Sequence, residues 1–274
     1  MLLFLLIFVF IFGICVGSFL NVLIDRLPEN ESPFKGRSHC DHCRKTLQAQ
    51  DLIPLLSFVT LSGKCRYCHK KLSWQYPAIE FLTGLLFVGL FWWLVHELLT
   101  PELISLVPQA LVPNTLLSFI ALVTIFSSLL VIFMTDLKTQ IIPDEMTFVL
   151  GLSALLYRVV TNTFTYQNIL AALATGLLFY GMYRLTKIVL KREGMGFGDV
   201  KLVVALGLLL GGIGTVVALY VAFLTGAAVS LILILAVGKT GKTQIAFAPF
   251  LIFGTVISFF MATHIFNWYL QLLF

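Results

Sequence analysis

Eight stretches of this chain are apolar over lengths that suit a bilayer, and in lipid every backbone amide and carbonyl must be satisfied within a helix or a closed barrel. Read as helical spans they are Leu2–Ile24, Ala78–Val95, Leu116–Thr135, Thr147–Val160, Ile169–Thr186, Val200–Ile213, Thr215–Val237 and Ala246–Leu273. The residues from Val200 to Val237 are too many for one crossing, and Gly211-Gly212-Ile213-Gly214 supplies the turn signal that divides them. Were that turn only a kink, everything after it would invert. Composition agrees: 59% of residues are hydrophobic, 11% are charged and the mean hydropathy is +0.99. The predicted fold class is therefore an all-α polytopic membrane protein of about eight transmembrane helices with a small cytoplasmic loop domain.

Charge sets the orientation. The net charge of +5 does not signal nucleic acid in such a chain, because Lys and Arg record topology. The loop Asp25–Tyr76 holds Arg26, Lys35, Arg37, Arg44, Lys45, Lys64, Arg66, Lys70 and Lys71. Lys138, the group from Arg184 to Lys201, and the pair Lys239 and Lys242 fall on the same face if crossings alternate, leaving Arg158 alone on the other. The positive-inside rule makes the basic face cytoplasmic, with both termini outside. The first span has no basic residue before it and no cleavage pattern after it, so it reads as an anchor rather than a removable signal. Leu99–Asn114, with Pro101, Pro108 and Pro113, reads as an outer loop, and no internal repeat is evident. The expected domains are residues 1–24 as first helix, 25–76 as a zinc-binding loop, 77–114 as second helix and outer loop, and 115–274 as a six-helix core.

Two CxxC pairs, Cys40-Asp41-His42-Cys43 and Cys65-Arg66-Tyr67-Cys68, stand in the first loop. Each pair aims two thiolates at one point, and two pairs complete a closed tetrahedral zinc shell with no open position for substrate. In a reducing cytoplasm zinc is favoured over disulfides; an inverted topology would reverse that reading. His39, His42 and His69 are neighbours of a shell that Cys40, Cys43, Cys65 and Cys68 already fill. Cys15, alone in the first span, reads as a packing residue.

Asp136 closes one apolar run and Asp199, in Met195-Gly196-Phe197-Gly198-Asp199, opens another. Ionisable groups at membrane depth are costly and mark function, and two carboxylates that share a proton supply an acid and a base, as in aspartic proteases. Asp199 also suits a helix N-cap, and Asp136 could simply mark a helix exit. Asp144, in Ile142-Pro143-Asp144-Glu145, is a rival candidate for the pair, although an Asp after Pro with Thr147 opening the next span reads as the cap of the fourth helix. Gly196 and Gly198 would let a substrate backbone come close. Gly196-Phe197-Gly198 lacks the third glycine and strand of a dinucleotide loop.

The chain resembles the bacterial prepilin peptidases, the type IV leader peptidases of the Gly-x-Gly-Asp aspartic type. The likeness rests on Gly17-Ser18-Phe19-Leu20-Asn21-Val22 with Arg26-Leu27-Pro28, both CxxC pairs, Tyr76-Pro77-Ala78-Ile79-Glu80 with Thr83-Gly84, Asp136 with Ile142-Pro143-Asp144, and Met195–Lys201. It implies that Asp136 and Asp199 are the catalytic pair, that the substrates are type IV prepilins or pseudopilins cut at a glycine on the inner face of the bacterial cytoplasmic membrane, and that the new amino terminus is methylated with S-adenosylmethionine. The sequence departs from the family at Asp41, often Pro there, and at Ala248 in Phe247-Ala248-Pro249-Phe250, usually Gly; the first is expected to leave the metal geometry intact, and the second to bear on a helix entrance near the active face while touching neither aspartate. Glu80 reads either as an interfacial acid or, with Gly84 one turn on, as part of a methyl-donor or amine site. His96 and His264 report interface and packing. A helix-dipole argument makes Asp136, near a helix C-terminus, the holder of the shared proton. A proton-coupled transporter could also carry two aspartates and a metal loop, but acids at the midplane and repeated halves would be expected of it. A peptidase without methyl transfer is the nearer alternative.

Overall fold

The computed structural model describes residues 2–40, 42–98, 111–189, 196–237 and 246–273. Its long elements are helices: α1 (Leu2–Arg26), the short α2 (Leu56–Thr60), α3 (Gln75–Leu98), α4 (Leu111–Thr139), α5 (Asp144–Val160), α6 (Tyr166–Val189), α7 (Phe197–Val237) and α8 (Ala248–Leu273). The chain divides into two compact units, Met1–Ser127 and Ser128–Phe274. Met195, Lys191, Arg192, Lys239, Lys242, Asp41 and the residues 99–110 of the expected outer loop lie outside the described residues. The rest of that loop is not a loop: α4 already begins at Leu111, with Pro113 in its first turn, where a missing amide costs no intrahelical bond.

In the first unit α1 packs along α3 at backbone distance. A methyl group on Gly13 would lie 2.8 Å from the Gly84 Cα, and one on Gly17 would lie 2.7 Å from the Glu80 Cα. Small residues four apart allow such contact in lipid, where van der Waals packing replaces the hydrophobic drive between helices. Asn21 is buried in this seam and donates to the carbonyls of Gly17 (3.3 Å) and Tyr76 (3.1 Å). The outward faces of α1, with Leu3, Phe4 and Phe8 exposed, have the character of a lipid-facing surface.

In the second unit α5, α6 and α8 all pack on α7. Gly207 meets the backbone of Ala171 and Ala172, and Gly254 sits against the Ala218 carbonyl, so both contacts are set by the absence of a side chain. At 41 residues α7 is about 60 Å long if straight, twice a hydrocarbon core. It is broken at Gly211, whose φ of 73° and ψ of −171° are not helical. The carbonyls freed there are taken by side chains of neighbouring helices: Asn168 donates to Leu208 (3.0 Å), and Arg158 donates to Leu209 (2.6 Å) and Leu210 (3.0 Å).

Six helices among the described residues are long and apolar enough to cross a membrane: Leu2–Glu29, Gln75–His96, Asn114–Thr139, Tyr166–Val189, Phe197–Ala236 and Ala248–Gln271. The sequence reading named eight. The difference lies in two places. One is α5, which at 17 residues is too short to qualify; the other is α7, which qualifies once although it consists of two helical segments joined at Gly211.

Candidate active site and metal centre

Within the second unit two carboxylates come together from separate helices. Asp136 lies in the last turn of α4 and Asp199 in the first turn of α7; only 5% and 8% of their surfaces are exposed. They are near enough for one charge to act on the other. The Gly196 amide donates to Asp199, and Asp199 in turn sends its own amide to the Gly196 carbonyl (3.2 Å). Asp136 accepts a bond from the amide of Ala248, while its Oδ2 is buried without a partner. An orphaned carboxylate oxygen beside a second carboxylate is a place for water or a substrate oxygen to bind.

The Ala248 contact corrects the expectation that the Phe247–Phe250 stretch touches neither aspartate. Ala248 is the first residue of α8, so its amide has no intrahelical acceptor and is free to bond Asp136. The bond also places a positive helix end against Asp136. The argument that a helix C-terminus alone sets the charge of Asp136 therefore fails. The sequence marked this position only as a departure from the family pattern and not as a partner of Asp136, since any side chain but proline presents the same amide.

Asp144 is displaced from its expected position as well. Pro143 occupies the cap of α5 and Asp144 its first turn, where the carboxylate is held by Lys201 Nζ at 2.6 and 2.7 Å. It is thus an exposed ion-pair partner rather than a buried rival to Asp199. Gly196 is exposed, and a methyl group there would lie in ordinary contact with Asp199 Oδ2 at 3.5 Å and the Gly198 amide nitrogen at 3.9 Å. Gly198 admits a neighbour from the same chain, because a methyl group on it would lie 2.9 Å from the Ile142 Cβ.

In the first unit the four cysteines form a second cluster. The Sγ atoms of Cys40, Cys43, Cys65 and Cys68 all lie within 4.8 Å of one another, and Cys40 and Cys68 are 3.9 Å apart. A tetrahedron of thiolates at the zinc–sulfur distance has edges of about 3.8 Å, so the donor set and spacing fit that metal. All five cysteines are free thiols, and none of His39, His42 and His69 joins the cluster. Burial pushes the Cys65 thiol up, but the amides of Cys68 and Tyr67 and the neighbouring thiols outweigh it and bring it down to about 7. A ligand poised in this way is readily ionised for a cation.

The two halves of the cluster are copies. Residues 38–47 and 63–72 share one backbone pattern: Leu47 bonds Ser38 (2.9 Å) as Leu72 bonds Gly63 (2.8 Å), and Cys40 bonds Lys45 (3.1 Å) as Cys65 bonds Lys70 (2.9 Å). Arg44 and His69 take the same left-handed turn, with φ of 58° and 57°. The sequence reading found no evident internal repeat; the two knuckles share their cysteines and the pairs Lys45/Lys70 and Leu47/Leu72. Between them lies Asp51, a residue the sequence did not single out. It accepts from Arg66 Nε (2.6 Å), the Gln48 amide (3.1 Å) and the Tyr67 hydroxyl (3.2 Å). Burial works against its charge, yet these donors hold its carboxyl below the usual range.

Glu80 is buried on α3 with its carboxylate committed: the Leu55 amide donates to it at 2.7 Å and Ser18 also bonds it. Gly84 faces Phe10 and Ile14, whose atoms lie 2.7–2.8 Å from where its Cβ would be. Both residues thus serve the contact of α1 with α3.

Comparisons with known proteins give these clusters a context. Residues 11–94 match the model of the Bacterial Peptidase A24 N-terminal domain, and residues 122–266 match that of the Type IV leader peptidase family. A prepilin leader peptidase/N-methyltransferase of Aeromonas hydrophila is 30% identical over 96% of this chain and 92% of its own. One of the same name from Pectobacterium carotovorum is 34% identical over 92% and 91%. A type 4 prepilin-like proteins leader peptide-processing enzyme of Escherichia coli is 30% identical over 91% of each. No solved structure matches the chain. Since the second family model covers more than half of the sequence, including Asp136 and Asp199, the chain belongs to the type IV leader peptidase family.

Proposed function

We infer that this chain is a membrane aspartic endopeptidase that removes the leader from type IV prepilins and pseudopilins. The observation that carries the reading is the pair of buried carboxylates from α4 and α7, with one oxygen of Asp136 left unpartnered. One ionised carboxylate takes a proton from water as the water attacks the scissile carbonyl. Its protonated partner bonds the carbonyl oxygen and then helps protonate the leaving amine, so no covalent intermediate is needed. The pair titrates as a unit, and the proton belongs to both. The exposed edge at Gly196 is the approach for an extended substrate backbone; Gly198, filled by Ile142, supports the turn that carries Asp199.

The relatives' names add methyl transfer, and we extend it to this chain: the new amino terminus is methylated with S-adenosylmethionine as donor. No residue is assigned to that donor, because Glu80 and Gly84 are already engaged. Cys40, Cys43, Cys65 and Cys68 hold one structural zinc ion. By the positive-inside rule, the basic loops support a cytoplasmic position for both clusters at a bacterial inner membrane.

Co-expression with one prepilin, read by intact mass, tests the reading. The mature form lacking its leader and carrying one added methyl group is expected. A precursor of unchanged mass beside well-inserted protein would overturn the peptidase reading, and a cleaved but unmethylated product would overturn the methyl transfer alone.

A further inference from the structure

The cysteine loop carries an apolar face that its own unit leaves uncovered. Leu56 is 62% exposed and Val59, one turn on along α2, is 72% exposed, so the two share one side of that helix. Trp74 is 76% exposed and its ring packs at a tilt against Phe58, 5.0 Å between centroids, which joins the start of α3 to α2. Ile53 and Leu52 extend the same stretch.

The depth of this face is fixed by one hydrogen bond. The Leu55 amide, at the cap of α2, donates to Glu80 Oε2 at 2.7 Å. Glu80 is five residues into α3, about 7.5 Å along the axis of a helix that is itself long and apolar enough to cross a membrane. That distance is about the thickness of one headgroup layer, so a segment tied to Glu80 lies at the boundary with the hydrocarbon. Leu55 adopts a left-handed φ of 61° that is unfavourable for its side chain, and the bond to Glu80 holds it there. Lys64, Lys70 and Lys71 are exposed on the same loop, and Trp74 stands where aromatic residues gather at membrane surfaces.

We propose that α2, with Ile53 and Trp74, is a lipid-docking face that lays the cysteine loop into the anionic headgroup layer of the membrane that α1 and α3 cross. The loop is then a monotopic element moored at both ends by spans, with apolar side chains in the acyl boundary and lysines on the phosphates. This holds whatever the chain cleaves.

The wild-type protein, one copy per nanodisc of phosphatidylethanolamine and phosphatidylglycerol, is footprinted with hydroxyl radicals. Leu56, Val59 and Trp74 are expected to be spared while the exposed His69 is oxidised, and the sparing is expected to weaken in discs of phosphatidylcholine alone. Oxidation of Leu56, Val59 and Trp74 in line with their exposure would overturn the proposal; equal sparing in both lipids would overturn the part played by the lysines. As a second measurement, benzoylphenylalanine placed at Leu56 or Val59 is photolysed in vesicles of the same composition with a prepilin present. Lipid adducts are expected. Adducts to the prepilin or to a second copy of the chain would assign the face to another occupant, and either of these, or no adduct at all, would sink the idea.

Discussion

Two positive helix ends meet at the carboxylate pair, and each acts on a different residue. Asp199 sits inside the positive end of α7, and Asp136 leaves the negative end of α4 only to face the positive end of α8 through the Ala248 amide. Replacing Asp136 or Asp199 by Ala is expected to lower leader removal by roughly 10³-fold or more, since proton transfer alone contributes about 10²–10⁴. Asp144→Ala, which breaks only an exposed ion pair, should keep most activity; measured initial rates with a purified prepilin check all three. Ala248→Pro removes the amide bonded to Asp136 and is expected to slow cleavage, whereas Ala248→Gly keeps the amide and should leave the rate unchanged. The pairing of Asp136 and Asp199 was legible because both stand at run ends on one membrane face and one follows Gly-x-Gly, although each alone suits a cap or a helix exit. Ala248 was not, since a backbone donor leaves no mark on the residue type.

At the scale of elements, polar side chains repair what glycine interrupts. Arg158 and Asn168 satisfy three carbonyls freed by the break at Gly211, and each carbonyl left buried and bare costs about 1–3 kcal/mol. Arg158→Ala and Asn168→Ala are therefore expected to lower the unfolding temperature of the protein in lipid without moving either carboxylate, as a thermal melt beside an activity assay would show. The glycine run was readable as a break; its repair was not, because Arg158 and Asn168 lie about fifty and forty residues away in sequence, and only folding brings them to α7. In the cysteine loop, Asp51 ties the second knuckle to the chain between the two. Its folded carboxyl titrates below the ordinary value near 4, so its contribution is present above that pH and lost as the pH falls through the lower folded value. Asp51→Asn should weaken the loop by about 1 kcal/mol at neutral pH, a gap to wild type that closes in acid and that proteolytic susceptibility can follow. Asp51 carried no sequence signal, being one acid in a basic loop.

For the whole molecule, the apolar runs made membrane residence legible, since composition leaves such a chain no water-soluble core. Helix count was less legible, because α5 is short and α7 is long and broken, and run length alone cannot tell a short span or a kink from a crossing. Purified protein is expected to hold about one zinc ion per chain by elemental analysis, since one four-cysteine shell binds one ion. Cys→Ser at any of the four positions should disorder the loop and leave the helical content of the rest intact, because lipid-embedded helices satisfy their own backbones. The matched knuckles at residues 38–47 and 63–72 bear on how such an ion leaves. Each is a complete two-sulfur clasp with its own backbone bonds, so one can swing away while the other keeps its grip and an incoming chelator fills the vacated side. Exchange of a zinc ion held there would then proceed by handover rather than by release into solution, and its rate would rise in proportion to chelator concentration.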